Sequence, residues 1–184
     1  MIEKLIARSN EFIDGQIHIF DFESVEIERS INCLTMLTDE HCFEVLFCSW
    51  KVTGIYSHQK AKKPQKIIIT AQRRTLGDVI AVVEVDLLRR FKQISTHVTE
   101  TCHRLIASSE MLAECEKTIT FGRVQVRCTQ QAIRVTDRHL QAEFFGSWEL
   151  RGVSDKTKDN LHRIEIDVYR DEKVCAYLSL NIKN

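Results

Sequence analysis

An internal repeat constrains this chain more than any other feature. Leu5-Ile6-Ala7-Arg8-Ser9 returns as Leu105-Ile106-Ala107-Ser108-Ser109, a shift of 100 residues. Thr38-Asp39-Glu40-His41 returns as Thr136-Asp137-Arg138-His139 at a shift of 98, which also carries Phe47, Ser49, Trp50 and Gly54 onto Phe145, Ser147, Trp148 and Gly152. That makes seven identities in seventeen aligned positions, and they include both tryptophans of the chain. Later, Val79 and Ala81 match Val174 and Ala176 at a shift of 95. Small drifts in the shift are what short loop insertions leave behind in a tandem duplication. The chain divides into a first repeat at 1–94 and a second at 95–184, expected to be related by a pseudo-twofold axis.

Periodicity within each repeat suggests an α+β unit. Apolar positions 2, 5, 6, 12 and 13, with Ser9 in the stripe, fall on one helical face. Val98, Cys102, Leu105, Ile106, Ser109, Leu112 and Cys115 keep the same rhythm in the second repeat, so the spacing predicts a helix over 97–115. The pattern then changes to period two. Strands are expected near 16–22, 25–37, 41–53, 65–72 and 79–88, and again near 117–121, 123–135, 139–151, 162–169 and 173–183. The expected unit is one helix packed on an antiparallel meander of about five strands.

The two repeats differ on the face opposite their core. Residues two apart on a strand share a face. On one side of the tryptophan strand lie Leu46, Cys48, Trp50 and Val52, matched by Phe144, Gly146, Trp148 and Leu150. On the other side, the first repeat carries Phe43 and Val45 where the second carries Gln141 and Glu143. Ile68, Ile80 and Val82 stand where Glu165, Cys175 and Tyr177 do. The first repeat therefore reads as a sheet covered on both faces and the second as a sheet with one wet face. Phe43, Val45, Ile68, Ile80 and Val82 would form an apolar patch too large to leave in water. Two covers are considered, the 97–115 helix as a lid and a protein partner or second copy of the chain.

Charge sums to zero but is unevenly placed. Residues 1–50 carry ten acids and three bases, whereas 51–92 carry ten bases and three acids. Lys60, Lys62, Lys63, Lys66, Arg73 and Arg74 are the basic cluster of this stretch, and ammonium and guanidinium groups in such a run suit nucleic-acid phosphates. No aromatic residues are interleaved for base stacking. The Asp39/His41 and Asp137/His139 pairs have the residue types of metal ligands, but Thr-Asp is favoured turn chemistry, and no metal is assigned. Cys102 and His103 are adjacent, which does not suit a nucleophile and its base on a helix. The seven cysteines include no C-x-x-C, and free cysteine packs as a small hydrophobe in a reducing compartment. G-x-G-x-x-G, Walker A, H-E-x-x-H and G-x-S-x-G are all missing, so no catalytic residue and no cofactor are assigned.

These readings favour a cytoplasmic, non-enzymatic interaction module that binds a protein partner or itself, with no membrane contact. Nucleic-acid binding through the 60–74 cluster is the alternative, and an uncommon enzyme without a recognisable motif is the third reading.

Overall fold

The computed structural model describes residues 1–11, 18–21, 25–29, 33–38, 41–46, 49–73, 78–87, 101–155 and 160–182. The first repeat contributes β1 (Ile2–Arg8), β2 (His18–Asp21), β3 (Val25–Arg29), β4 (Cys33–Thr38), β5 (His41–Leu46), β6 (Ser49–Tyr56), β7 (Lys66–Gln72) and β8 (Val79–Asp86). The second contributes β9 (Thr101–Ser108), β10 (Lys117–Phe121), β11 (Val124–Cys128), β12 (Ala132–Thr136), β13 (Leu140–Phe145), β14 (Ser147–Asp155), β15 (Leu161–Arg170) and β16 (Lys173–Asn181). The only helical turns among the described residues are the three-residue 3-10 segments Ser9–Glu11 and Ser109–Met111. None of these is long and apolar enough to cross a membrane.

All sixteen strands lie in two eight-stranded antiparallel sheets. One runs β1-β6-β7-β8-β16-β15-β14-β9 and the other β10-β11-β12-β13-β5-β4-β3-β2. Each order reads the same from both ends once a second-repeat strand takes its first-repeat counterpart's place. The repeats join edge to edge within both sheets, with Val83 opposite Leu178 and Phe43 opposite Ala142 at the two seams. The inward side chains of both sheets form one continuous core, in which Trp50, Trp148, Phe43, Phe144, Ile67 and Leu150 are among the largest fully buried groups. Strict alternation along β15 shows how this works. Ile164, Ile166 and Val168 are fully buried, while Arg163 and Glu165 point to the outer side.

The α+β expectation is therefore corrected to an all-β sandwich. Both expected helices begin as edge strands, β1 paired with β6 and β9 paired with β14. The spacing misled because each strand carries a β-bulge at the same place, between Leu5 and Ala7 and between Leu105 and Ala107. A bulge adds one residue to a two-residue period, so apolar positions move three apart and imitate a helical stripe. The 3-10 turn that follows extends the imitation. The 97–115 lid is overturned too, since 101–108 is the outermost strand of its sheet; positions 88–100 lie outside the described residues.

The bulge explains the repeated sequence. Ile6 and Ile106 lean into the core, each above a glycine. A methyl group on Gly54 would come within 3.0 Å of the Ile6 side chain, and one on Gly152 within 3.0 Å of Ile106. In the 3-10 turn, Ser9 Oγ accepts a hydrogen bond from the Trp50 amide at 3.1 Å, and Ser109 Oγ accepts one from the Trp148 amide at 3.2 Å. The matching Leu-Ile-Ala-x-Ser and Ser-Trp-…-Gly residues are thus two halves of one packing corner, built twice.

A second correction concerns the tryptophan strand. The expected 41–53 and 139–151 strands each divide in two, and the parts join different sheets. In the second repeat the break falls at Gly146, whose φ of +126° is strained for any other residue. A Cβ there would also press within 3.0 Å of the Tyr169 carbonyl oxygen. In the sheet ladders Met36 lies opposite Phe43 and Val135 opposite Ala142, a shift of 99 rather than 98. The one-residue slip reverses the face of β5, and Phe43 is fully buried between the sheets.

Candidate functional site

Three surfaces bear on function, and they follow from which side of each strand faces outward. The first is the outer side of the β1-to-β9 sheet. In the first repeat, β6, β7 and β8 place Thr53, Ile55, Ile68, Thr70 and Val82 there, all β-branched, together with Lys51 and the Lys66–Glu84 ion pair. Thr53 is buried and the other four β-branched residues are half-buried. Matching positions of the second repeat are Arg151, Val153, Glu165, Asp167 and Tyr177. Of the five residues expected to form the patch, Ile68 and Val82 share this surface, whereas Ile80, at a bulge in β8, packs with the core. Phe43 belongs to the core of the opposite sheet, and Val45 lies in β5 opposite Leu34 and Leu140, its side chain outside the described residues.

The second surface is the same outer side in the second repeat, where ion pairs replace the β-branched residues. Arg151 bridges Glu149 and Asp167, and the Tyr169 hydroxyl donates to Glu149 Oε2 at 3.1 Å. Glu165 meets Arg163 at 2.9 Å and His103 Nδ1 at 3.2 Å. Burial pushes the Asp167 carboxyl above its usual range, against the opposing pull of Arg151. Burial also raises the Tyr177 and Tyr169 hydroxyls. Each carboxylate in this group has a cationic partner, which is the arrangement of a structural network. Arg134 and Glu143 form a similar pair across β12 and β13, at 2.9 and 3.0 Å.

The third is a recess of about 370 Å³ at one end of the sandwich, where the two sheets part. Arg73, Ile80 and Asn181 line it from one sheet, and Arg123, Asp137, Arg138 and His139 from the other. Arg123 sits in the tight β10–β11 turn behind Gly122, and Asp137 to His139 form the β12–β13 hairpin, closed by the Asp137 amide donating to the Leu140 carbonyl at 2.9 Å. Among the described residues none of the three arginines forms an ion pair. His139 Nδ1 is buried without a hydrogen-bond partner.

No family model, curated protein or solved structure matches this chain.

The sandwich disperses the basic run of the sequence. Lys60, Lys62 and Lys63 are exposed in the 57–65 loop, and Lys66 pairs with Glu84 at the start of β7. Arg73 follows the opposite end of β7, about 23 Å away at roughly 3.3 Å per residue. Arg74 lies outside the described residues. The two Asp-x-His sequences are also kept apart. His41 pairs with Phe144 while His139 immediately precedes β13, so the two histidines lie at opposite ends of the β5–β13 ladder; Asp39 lies outside the described residues. No group of three His, Cys, Asp or Glu side chains suited to a metal occurs among the described residues. Cys102 and His103 occupy adjacent positions of a strand, where successive side chains point to opposite faces.

Sequence reasoning missed the end recess because its cations come from the β7–β8, β10–β11 and β12–β13 connections, 50 and 15 residues apart at Arg73, Arg123 and Arg138. One signal was present. The hairpin Thr136-Asp137-Arg138-His139 carries an arginine where its counterpart, Thr38-Asp39-Glu40-His41, carries a second acid.

Proposed function

We propose that this chain is a non-enzymatic interaction module that associates with a second copy of itself through the outer side of β6, β7 and β8. The observation carrying this reading is the change of surface chemistry across one continuous sheet. Thr53, Ile55, Ile68, Thr70 and Val82 form a β-branched cluster bordered by Lys51 and the Lys66–Glu84 pair, and Arg151, Glu165 and Asp167 replace Thr53, Ile68 and Thr70 on the same framework. An antiparallel sheet with one solvated face ordinarily carries polar and charged residues there, as the second repeat does. A β-branched cluster of this kind is suited to a flat contact, and isologous twofold pairing is the commonest way for a soluble chain to cover one. The ion pairs of the second repeat would then lie outside the contact and keep it from spreading along the sheet.

Size-exclusion chromatography with light scattering tests this directly. The wild-type chain is expected to run as a dimer, and Ile68→Glu or Val82→Glu, each at a half-buried position, to run as a folded monomer with unchanged circular dichroism. A wild-type monomer at tens of micromolar, or dimeric and folded charge variants, would refute it.

A further inference from the structure

We infer that the end recess is a binding site for a small phosphorylated polyol, such as a sugar phosphate. This site is separate from the β6–β8 surface and does not depend on it. The lining supplies three guanidinium groups against one carboxylate, Arg73, Arg123 and Arg138 against Asp137, a formal balance of three minus one, or +2 with His139 neutral. Guanidinium forks match phosphoryl oxygens in pairs, and three arginines lining one recess from both sheets suit a group of charge near −2. They lack ion-pair partners among the described residues, whereas the arginines on the outer side of the second repeat, Arg151 and Arg163, are paired.

The remaining lining narrows the ligand. Asn181 Nδ2 donates to the Val79 carbonyl at 2.7 Å, which fixes the amide and leaves its oxygen as an acceptor. Asp137 adds carboxylate oxygens, so acceptors for hydroxyl groups sit beside the donors for phosphate. A volume of about 370 Å³ is in the range of small-molecule sites. Among the described lining residues Ile80 is the one apolar side chain and none is aromatic, a lining that suits a polar ligand better than a nucleobase. The duplication does not create this chemistry automatically. Asn181 corresponds to Asp86, and the hairpin corresponding to 136–139 carries Asp39 and Glu40 with no arginine. Arg123 and Arg138 are particular to this end of the molecule, whereas Arg73 has Arg170 as its counterpart.

Isothermal titration with the intact chain provides the test, using glucose 6-phosphate and fructose 1,6-bisphosphate as probes, with glucose and inorganic phosphate as comparators. One saturable site is expected, at least tenfold tighter for a sugar phosphate than for either comparator. Arg123→Ala and Arg138→Ala, both at exposed positions, should each weaken it tenfold or more, while Lys60→Ala/Lys62→Ala in the opposite loop should leave it unchanged. Absence of saturable binding at millimolar probe would overturn the inference. So would affinity no better than inorganic phosphate, or equal losses in the lysine variant.

Discussion

The serine that closes each packing corner is the most direct handle on the duplicated fold. Ser9 and Ser109 are buried, and each hydroxyl is the acceptor for a tryptophan amide, at 3.1 and 3.2 Å. Replacing either by alanine removes the acceptor without creating room for water, so a buried N–H is left unpaired. The desolvation cost of such a group is about 1–3 kcal/mol. Ser9 and Ser109 follow β1 and β9, the two edges of an eight-stranded sheet, some 34 Å apart at roughly 4.8 Å per strand. Separated sites add, so the double variant Ser9→Ala/Ser109→Ala is expected to lose about 2–6 kcal/mol. For a chain of this size each kcal/mol lowers the melting temperature by roughly 2–4 °C. Urea unfolding followed by tryptophan fluorescence gives the free energies, and Ser57→Ala, at an exposed position, is the control. The m-value should stay constant, because the surface exposed on unfolding is the same. A double variant as stable as the Ser57→Ala control would refute the role assigned to these hydroxyls, as would one serine mattering and the other not.

Three further outcomes follow from buried titratable groups. Because burial raises the folded-state carboxyl of Asp167 above its unfolded value, that group's stability contribution is fully present below the ordinary carboxylate range and is lost as pH rises through the raised value. Asp167→Asn, with Arg151 still held by Glu149, is therefore expected to be more stable than wild type in urea melts at pH 7, the gap closing by pH 3; a large loss at pH 7 would contradict this. Burial pushes the Cys128 thiol up to about 11, while Cys102 and Cys115 are exposed. In the folded protein at pH 8, mass-resolved alkylation should modify Cys102 and Cys115 well before Cys128. Stability should fall as pH climbs from about 9 towards 11, where the unfolded thiol ionises first. Early labelling of Cys128 would show that its strand opens locally.

Sequence by itself established that the chain is built twice, because Leu-Ile-Ala-x-Ser and the tryptophan segments are short-range patterns that survive in the text. It also exposed the alternation of β15 and the contrast of Ile68 with Glu165, since both depend only on residues two apart along a strand. Tertiary structure decided the rest. A single bulged residue turned two edge strands into apparent helices, and a one-residue slip reversed the face of Phe43, because a two-residue period carries no memory across an insertion. How the repeats join is not written locally either. Val83 meets Leu178 and Phe43 meets Ala142 only once two half-sheets are placed edge to edge, and that same placement gathers Arg73, Arg123 and Arg138 around one recess.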